Sequence, residues 1–324
     1  MKKFGAVYSV GTKVRALTLL GLLYTVALCR QPYNLAKSAV HVAFTCDSLQ
    51  VLTLGPVMSS IAASSRSTQR IHFHIFTAPE AIGDAHSHLS CYSRGAAYTW
   101  ELHEFHTEML KVSVQVHAKT EWRLKSAFNY ARYYFSEMLP TVEKILYLDN
   151  DIVVQGDVCD LYDRYLRPST EFVIAAVERA ILMGNLLNFS NPAVLESAVK
   201  ASMHSFNAGV LLIHLENWRR NSITSIVEDW TYRNTISRLY NHGSQPPILL
   251  TFGSSFERLP ADWNVDGLGY KKNLDFTILK KASVLHWSGT AKPWCPKTPY
   301  RTLWENYLRE ECGMSEKVQQ ACAL

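Results

Sequence analysis

The stretch Lys144-Ile145-Leu146-Tyr147-Leu148-Asp149-Asn150-Asp151-Ile152-Val153-Val154 decides how the chain is read. A short apolar run of strand length delivers two carboxylates, one residue apart, before β-branched residues resume. In an α/β sheet, ligands bind in the crevice beyond the carboxyl ends of the strands, so Asp149 and Asp151 are expected at the mouth of such a site. Two neighbouring carboxylates repel each other unless a cation lies between them, and a hard divalent metal is the usual one. Asp and Asn are also ordinary turn residues, which leaves a plain polar turn as the alternative at this point. The register disfavours a calcium loop of the EF-hand type. Val153 stands where that loop needs Asp or Asn, and Gly156 falls out of place.

Outward from this strand, apolar runs alternate with helix-spaced stretches. Residues 40–46 read as a first strand, followed by Asp47-Ser48 and a helix-like segment at 57–63. Residues 71–76 alternate with period two, giving a second strand on which His72 and His74 share one face. No third ligand is evident near them in sequence, so they read as packed or half-exposed histidines rather than a metal pair. The spacing of Ala127, Tyr130, Ala131, Tyr134 and Met138 predicts a helix from Ser126, its cap, to Pro140, with Asn129 and Arg132 on it. Further buried strands are predicted at 172–177 and 206–213. The second opens on Asn207-Ala208-Gly209, small enough to let a ligand approach the backbone. Residues 222–230 have helix spacing, and Gly243-Ser244-Gln245-Pro246-Pro247 reads as a turn or loop. Residues 282–294 form an apolar strand ending in His286, then a loop with Gly289 and Lys292. That loop combines a common metal ligand, room for backbone N–H groups to reach phosphate, and a point charge for phosphate. Strands alternating with helices predict an α/β fold with a largely parallel sheet, in one domain because no repeat or low-complexity linker interrupts it.

A chain that is 48% hydrophobic and 19% charged is globular rather than disordered. Its net charge of +5 comes without a long Lys/Arg run, which argues against nucleic acid as a partner and suits an anionic small ligand such as a phosphate ester. At the amino end, Lys2, Lys3, Lys13 and Arg15 precede an uncharged apolar run over residues 16–29, a secretory targeting pattern. The run is shorter than the roughly 20 residues of a membrane span, but a thin early-secretory bilayer eases the mismatch. No small-x-small cleavage pair follows it cleanly. The expectation is a cytosolic tail over 1–15, a signal-anchor over 16–29, a stem over 30–39 and a lumenal domain over 40–324, in type II orientation. Cleavage of the run would instead give a secreted protein. Of the seven cysteines, six lie beyond the run: Cys46, Cys91, Cys159, Cys295, Cys312 and Cys322. An even number fits disulfides in an oxidising compartment, and 15 pairings are possible. Asn188-Phe189-Ser190 is an N-glycosylation sequon, concordant with lumenal exposure.

Three motifs in this order, Leu148-Asp149-Asn150-Asp151, Phe206-Asn207-Ala208-Gly209 and His286-x-x-Gly289-x-x-Lys292-Pro293-Trp294, resemble glycosyltransferase family 8. With Asn217-Trp218-Arg219, the Gly-Ser-x-Pro-Pro loop and Trp263-Asn264, the chain looks most like the animal glycosyltransferase 8 domain-containing proteins and the plant galacturonosyltransferase-like proteins. The resemblance runs from about Val40 to Trp304. It implies a Rossmann-like, nucleotide-sugar-binding glycosyltransferase A-type fold with a mixed, mostly parallel sheet, and a retaining, metal-dependent enzyme. It further implies Mn²⁺ held by Asp149, Asp151 and His286. The implied donor contacts are Thr45, Asp47, Arg132, Asn150, Asn207, Ala208, Gly209, Gly289 and Lys292.

Such an enzyme must stabilise the diphosphate left when the anomeric C–O bond breaks, a task for a Lewis-acidic metal assisted by Lys292 and backbone dipoles. The bacterial relatives carry an acid-Gln-acid loop; here Ser244-Gln245-Pro246-Pro247 stands in its place, so either Gln245 or a proline occupies the carboxamide position. With no acid in that loop, same-face attack with the departing phosphate as base is the expected route to retention. Trp287 and Trp294, adjoining the His-Gly-Lys loop, are the aromatic residues expected near substrate. The implied partners are a UDP-sugar and a glycan or glycoconjugate acceptor, in the Golgi or endoplasmic reticulum. The alternative is a silent member of the fold that binds a nucleotide sugar or glycan without turnover.

Overall fold

The computed structural model describes residues 39–111, 124, 126–313, 316, 318 and 322. The tail, the apolar run and all but the last residue of the stem fall outside them. Among the described residues, no helix is long and apolar enough to cross a membrane.

The described residues contain ten strands: β1 (Val40–Thr45), β2 (Ile71–Thr77), β3 (Thr99–Glu104), β4 (Lys144–Leu148), β5 (Ile152–Val154), β6 (Ile174–Leu182), β7 (His204–His214), β8 (Glu257–Arg258), β9 (Val265–Asp266) and β10 (Val284–His286). Seven of them form one sheet in the order β3-β2-β1-β4-β7-β6-β8, and β5-β10-β9 form a second. In the large sheet, β1 pairs in parallel with β2 and β4, as do β2 with β3 and β6 with β8; only β7 runs antiparallel to its neighbours β4 and β6. The fold is α/β with a mixed, mostly parallel sheet. Val42, Phe44, Ile145, Leu146, Val210 and Leu212 have no exposed surface. These strands are covered on both faces, which is why they read as continuous apolar runs.

Helices cover the sheet, and two of them show what packing demands of sequence. Leu54–Ser64 lies against Ile82–Tyr92. A Cβ on Gly55 would meet the Tyr92 ring at 2.3 Å, so glycine is what permits this approach. The second helix is also tied to the far end of the chain, because Cys91 is bonded to Cys312; Cys295 is bonded to Cys322, while Cys46 and Cys159 are buried free thiols.

Several expected elements change form. The helix expected over 126–140 is a 3₁₀ stretch, Ala127–Tyr134, followed by one α-turn, Phe135–Met138, and Ser126 makes no side-chain cap. Phe128, Tyr130, Arg132, Tyr133 and Tyr134 are all buried there, so anchoring around the whole circumference overrides the one-faced spacing of an α-helix. The expected loop at 243–247 ends early: Gln245 opens the helix Gln245–Phe252, with Pro246 and Pro247 in its first turn, where a missing N–H costs nothing. β6 begins two residues later than expected and continues through Glu178 and Arg179. β3 was not expected at all, since Thr-Trp-Glu-Leu-His-Glu lacks a buried face.

Gly55→Ala tests the helix contact. Alanine gains about 1 kcal/mol of helix propensity, but overpacking costs about 1–3 kcal/mol. Tyr92 is fully buried and cannot swing away, so packing wins. The expected outcome is a melting temperature lowered by a few degrees in calorimetry; an unchanged or raised value would show that the two helices can separate freely.

Candidate active site

The site forms where the chain changes sheets. β4 ends with Leu148 paired to Val210 of β7, and the Asp149 amide extends that ladder to the Gly209 carbonyl at 2.8 Å. β5 begins with Ile152 paired to His286 of β10, and the Trp287 amide donates to the Asp151 carbonyl at 2.9 Å. Backbone pairing alone therefore sets Asn207-Ala208-Gly209 on one flank of the acids and His286 on the other.

Two carboxylates and one imidazole result, with ligand atoms within 4.8 Å of one another. His286 Nε2 is 3.2 Å from Asp151 and 3.7 Å from Asp149. Its Nδ1 is 2.9 Å from Asn264 Oδ1; Asn264 Nδ2 donates to Asn207 Oδ1 at 3.3 Å, and that oxygen also accepts the Gly209 amide at 2.8 Å. A backbone N–H can only donate, which gives the relay one direction. Asn207 offers oxygen, Asn264 turns its nitrogen to Asn207 and its oxygen to His286, and His286 Nδ1 carries a hydrogen. Nε2 is thereby directed at the acids, the orientation a metal-ligating histidine requires.

The carboxylates are held by different cations. Asp151 has a 6% exposed side chain and meets Lys292 Nζ at 2.6 Å. Burial alone would raise its pKa, but Lys292 and His286 outweigh burial and hold the carboxyl well below the usual range. Burial likewise opposes charge on His286, yet Asp151, Asp149 and Asp266 lift the imidazole above its ordinary value. A cation entering between the acids competes with that proton. Asp149, 28% exposed, accepts from the Tyr147 hydroxyl and lies 3.7 Å from Arg132. Arg132 is itself fixed: it donates to the Ala208 carbonyl at 2.7 Å and to the Asn129 carbonyl at 3.0 Å, with its guanidinium 4.4 Å from the centre of the Tyr147 ring.

The arrangement fits a divalent transition metal. A Cβ on Gly209 would stand 2.4 Å from Asp149 Oδ2 and 2.5 Å from His286 Cε1, so only glycine leaves this space clear. The side-chain nitrogen of Asn150 is buried with no partner among the described residues, a donor awaiting an acceptor.

The constellation opens into a cleft of about 390 Å³, within the range of small-molecule sites. Thr45, Arg132, Asn150, Asn207, Ala208, Gly209, Gln245, Gly289 and Lys292 all line it with Asp149, Asp151 and His286. Asp47 is not among the lining residues. Its carboxylate accepts the Leu49 and Gln50 amides at 3.0 and 2.8 Å and so shapes the turn that presents Gln50 to the cleft. Gln245, rather than a proline, faces the cleft, its Oε1 accepting the Ala208 amide at 2.9 Å. Trp287 and Trp294 do not reach it. Trp287 is fully buried, donating to the Pro299 carbonyl at 2.8 Å, and Trp294 packs in the core. Among the described residues the aromatic lining is Tyr147 and Tyr270 instead. Sequence reasoning also passed over Arg179, which lines the cleft and pairs with Asp266 at 2.7 Å, and assigned Asn264 no role. Tyr147 was detectable, because it lies two residues before Asp149 and so shares its strand face.

Comparison with known proteins agrees with this geometry. The sequence model of Glycosyl transferase family 8 matches residues 41–298. Glycosyltransferase 8 domain-containing protein 1 of Xenopus tropicalis is 28% identical over 279 residues, covering 79% of this chain and 74% of the relative. Probable galacturonosyltransferase 10 of Arabidopsis thaliana is 33% identical over 186 residues, covering 56% of this chain and 34% of that longer protein. Among solved structures, the galactosyltransferase LgtC in complex with donor and acceptor sugar analogues superposes with a TM-score of 0.63 at 21% identity, covering 86% of this chain and 98% of that one. That likeness shows a glycosyltransferase A-type fold.

Two substitutions test the site. Asn264→Leu removes the group that orients His286 and is expected to weaken Mn²⁺ binding, followed by electron paramagnetic resonance titration, by about 10–100-fold without lowering the melting temperature to match. Gly209→Ala is expected to abolish that binding. Wild-type affinity in both variants would show that the imidazole and the acids are not held as a unit.

Proposed function

The chain belongs to glycosyl transferase family 8, and from that premise we propose that it is a retaining, Mn²⁺-dependent hexosyltransferase moving a sugar from a UDP-sugar to a glycan or glycoconjugate. The observation that carries this reading is the convergence of Asp149, Asp151, His286 and Lys292 on one cleft beside a small-residue strand edge. Two carboxylates and an imidazole suit Mn²⁺ better than Ca²⁺ or Mg²⁺, which prefer oxygen alone. When bound, the metal supplies Lewis acidity to the leaving diphosphate.

The residues of the chain do the rest. Thr45, at the end of β1, and Gln50 beyond it receive the nucleoside, and Asn150, Gly289 and Lys292 receive the diphosphate. Lys292 is a point charge of the right sign and already sits in the cleft. Arg132 and Gln245 hold Ala208 from its carbonyl and amide sides, which fixes the backbone edge along which the sugar lies. Among the described residues, the only carboxylates lining the cleft are Asp149 and Asp151, and both face the cation site. Among the described residues no further acid lines the cleft to serve as a covalent nucleophile, which supports attack from the leaving-group face. The anomeric C–O bond to phosphate breaks, the acceptor oxygen bonds to the same face, and the acceptor's hydroxyl proton passes to the departing phosphate oxygen. Gln245 positions the strand edge in this scheme, and its carboxamide N–H₂ has no hydrogen-bond partner among the described residues and is offered to a sugar hydroxyl.

The cellular setting belongs to the same reading. Two disulfides suit an oxidising compartment. The basic residues before the apolar run at 16–29 support a signal-anchor and a lumenal, Golgi or endoplasmic reticulum, type II protein.

The test is release of free UDP from a panel of UDP-sugars, with Mn²⁺ and with a chelator. Mn²⁺-dependent release from one donor, reduced at least about 100-fold in Asp151→Asn, roughly 3 kcal/mol of transition-state stabilisation, is the expected outcome. Metal-dependent UDP binding without release from any donor, even with acceptor glycans added, would establish the silent binder instead. A covalent glycosyl-enzyme trapped in mass spectrometry would overturn same-face attack.

A further inference from the structure

We propose that His72, His74 and Glu101 form a second metal site, for a borderline divalent cation of the Zn²⁺ class, on β2 and the edge strand β3. None of the three lines the donor cleft. In sequence, His72 and His74 had no third ligand in view. The fold supplies it, because β3 pairs in parallel with β2 in the register His72↔Thr99 and His74↔Glu101. Residues i and i+2 of one strand and the residue opposite on the next strand share a sheet face, so two imidazoles and a carboxylate converge from a rigid scaffold.

Distances and chemistry agree. The three residues offer ligand atoms that all lie within 4.8 Å of one another; His72 Nε2 is 3.8 Å from Glu101 Oε2. Ligands of a tetrahedral zinc ion at 2.0–2.2 Å stand about 3.4 Å apart, so small side-chain rotations close the site. His₂Glu is a known donor set for zinc with a fourth position open, whereas Ca²⁺ and Mg²⁺ prefer oxygen alone. The Glu101 side chain is 59% exposed and that of His72 26% exposed, which leaves that fourth position facing solvent and gives the ion an entry path.

The outer groups are also in place. His74 is 4% exposed and has both ring nitrogens engaged: Nε2 lies 2.9 Å from His41 Nδ1, and Nδ1 lies 3.0 Å from His103 Nε2. When one nitrogen takes the cation, the other keeps its imidazole partner, the orienting contact that metal-bound histidines require. His72 Nδ1 is 2.8 Å from the Thr99 hydroxyl, which fixes its ring and leaves Nε2 towards Glu101. The bound ion would tie β3, an edge strand whose residues are all at least partly exposed, to the interior of the sheet.

The test counts metal rather than turnover. The full chain carrying Asp149→Ala and Asp151→Ala, which removes the acids of the donor site, is stripped with chelator, equilibrated with Zn²⁺ alone, freed of excess and assayed by mass spectrometry of the metal. About one zinc per chain is expected, with affinity at least tenfold weaker after His72→Ala or Glu101→Gln and about tenfold weaker after His41→Gln. Co²⁺ in place of zinc is expected to give visible absorption that the first two variants lose. Glu101→Gln changes an exposed side chain, so the test stays readable even if substitutions at buried His74 prevent folding. No zinc retained in the Asp149→Ala, Asp151→Ala chain, or the same affinity after Glu101→Gln and His72→Ala, would overturn the proposal.

Discussion

Between Leu148 and Ile152 the backbone must leave one sheet and enter another while keeping every buried polar group bonded, and the site is the solution to that constraint. An unpaired backbone N–H or carbonyl in this interior would cost about 1–3 kcal/mol. The Asp149 amide therefore continues to Gly209, and the Asp151 carbonyl is taken up by Trp287. Those two bonds fix which strands stand beside the acids. Once β7 and β10 are in place, Asn207, Gly209 and His286 follow from register, and the side chains need only rotate into contact. A strand break is usually a weakness in a sheet; here it is where two ladders meet.

Charge is handled in the same economical way. Carboxylates this deeply set are tolerated only when paired, and each has its own permanent cation, Lys292 for Asp151 and Arg132 for Asp149. On the proposed reading, a divalent ion and a diphosphate arriving together would add charges of opposite sign, so the balance of the cleft would survive loading. The relay from Gly209 through Asn207 and Asn264 to His286 adds direction to that balance. It runs through neutral amides, which orient the imidazole without adding a further charge to the interior.

Much of this was legible in sequence, and the misses have physical causes. Strands buried on both faces announce themselves as apolar runs, which is how β1, β4 and β7 were read, while β2 was read from its period of two. The acid pair, His286 and Lys292 could be picked out because their residue types are costly to bury without a purpose. Trp287 was placed beside substrate by its nearness to His286 in the chain, but consecutive strand residues point to opposite faces, so the better His286 faces the cleft the more surely Trp287 faces away. Asn264, in the turn just before β9, and Arg179, on β6, are placed by long-range pairing that local pattern does not encode. Glu101 was hidden because β3 has no apolar face, leaving His72 and His74 without a visible companion until the strands were set side by side.

The bond between Cys91 and Cys312 spans 221 positions of sequence. It makes the intervening chain a closed covalent ring, and Asp149, Asp151, His286 and Lys292 all lie on that ring. A single proteolytic cut anywhere within it opens the ring but separates nothing: both fragments remain one molecule, with the metal-facing trio still held by the same two sheets. Topologically, the centre of the protein is carried on a loop with no free end, so fraying from either terminus must stop at the disulfide before it reaches the acids.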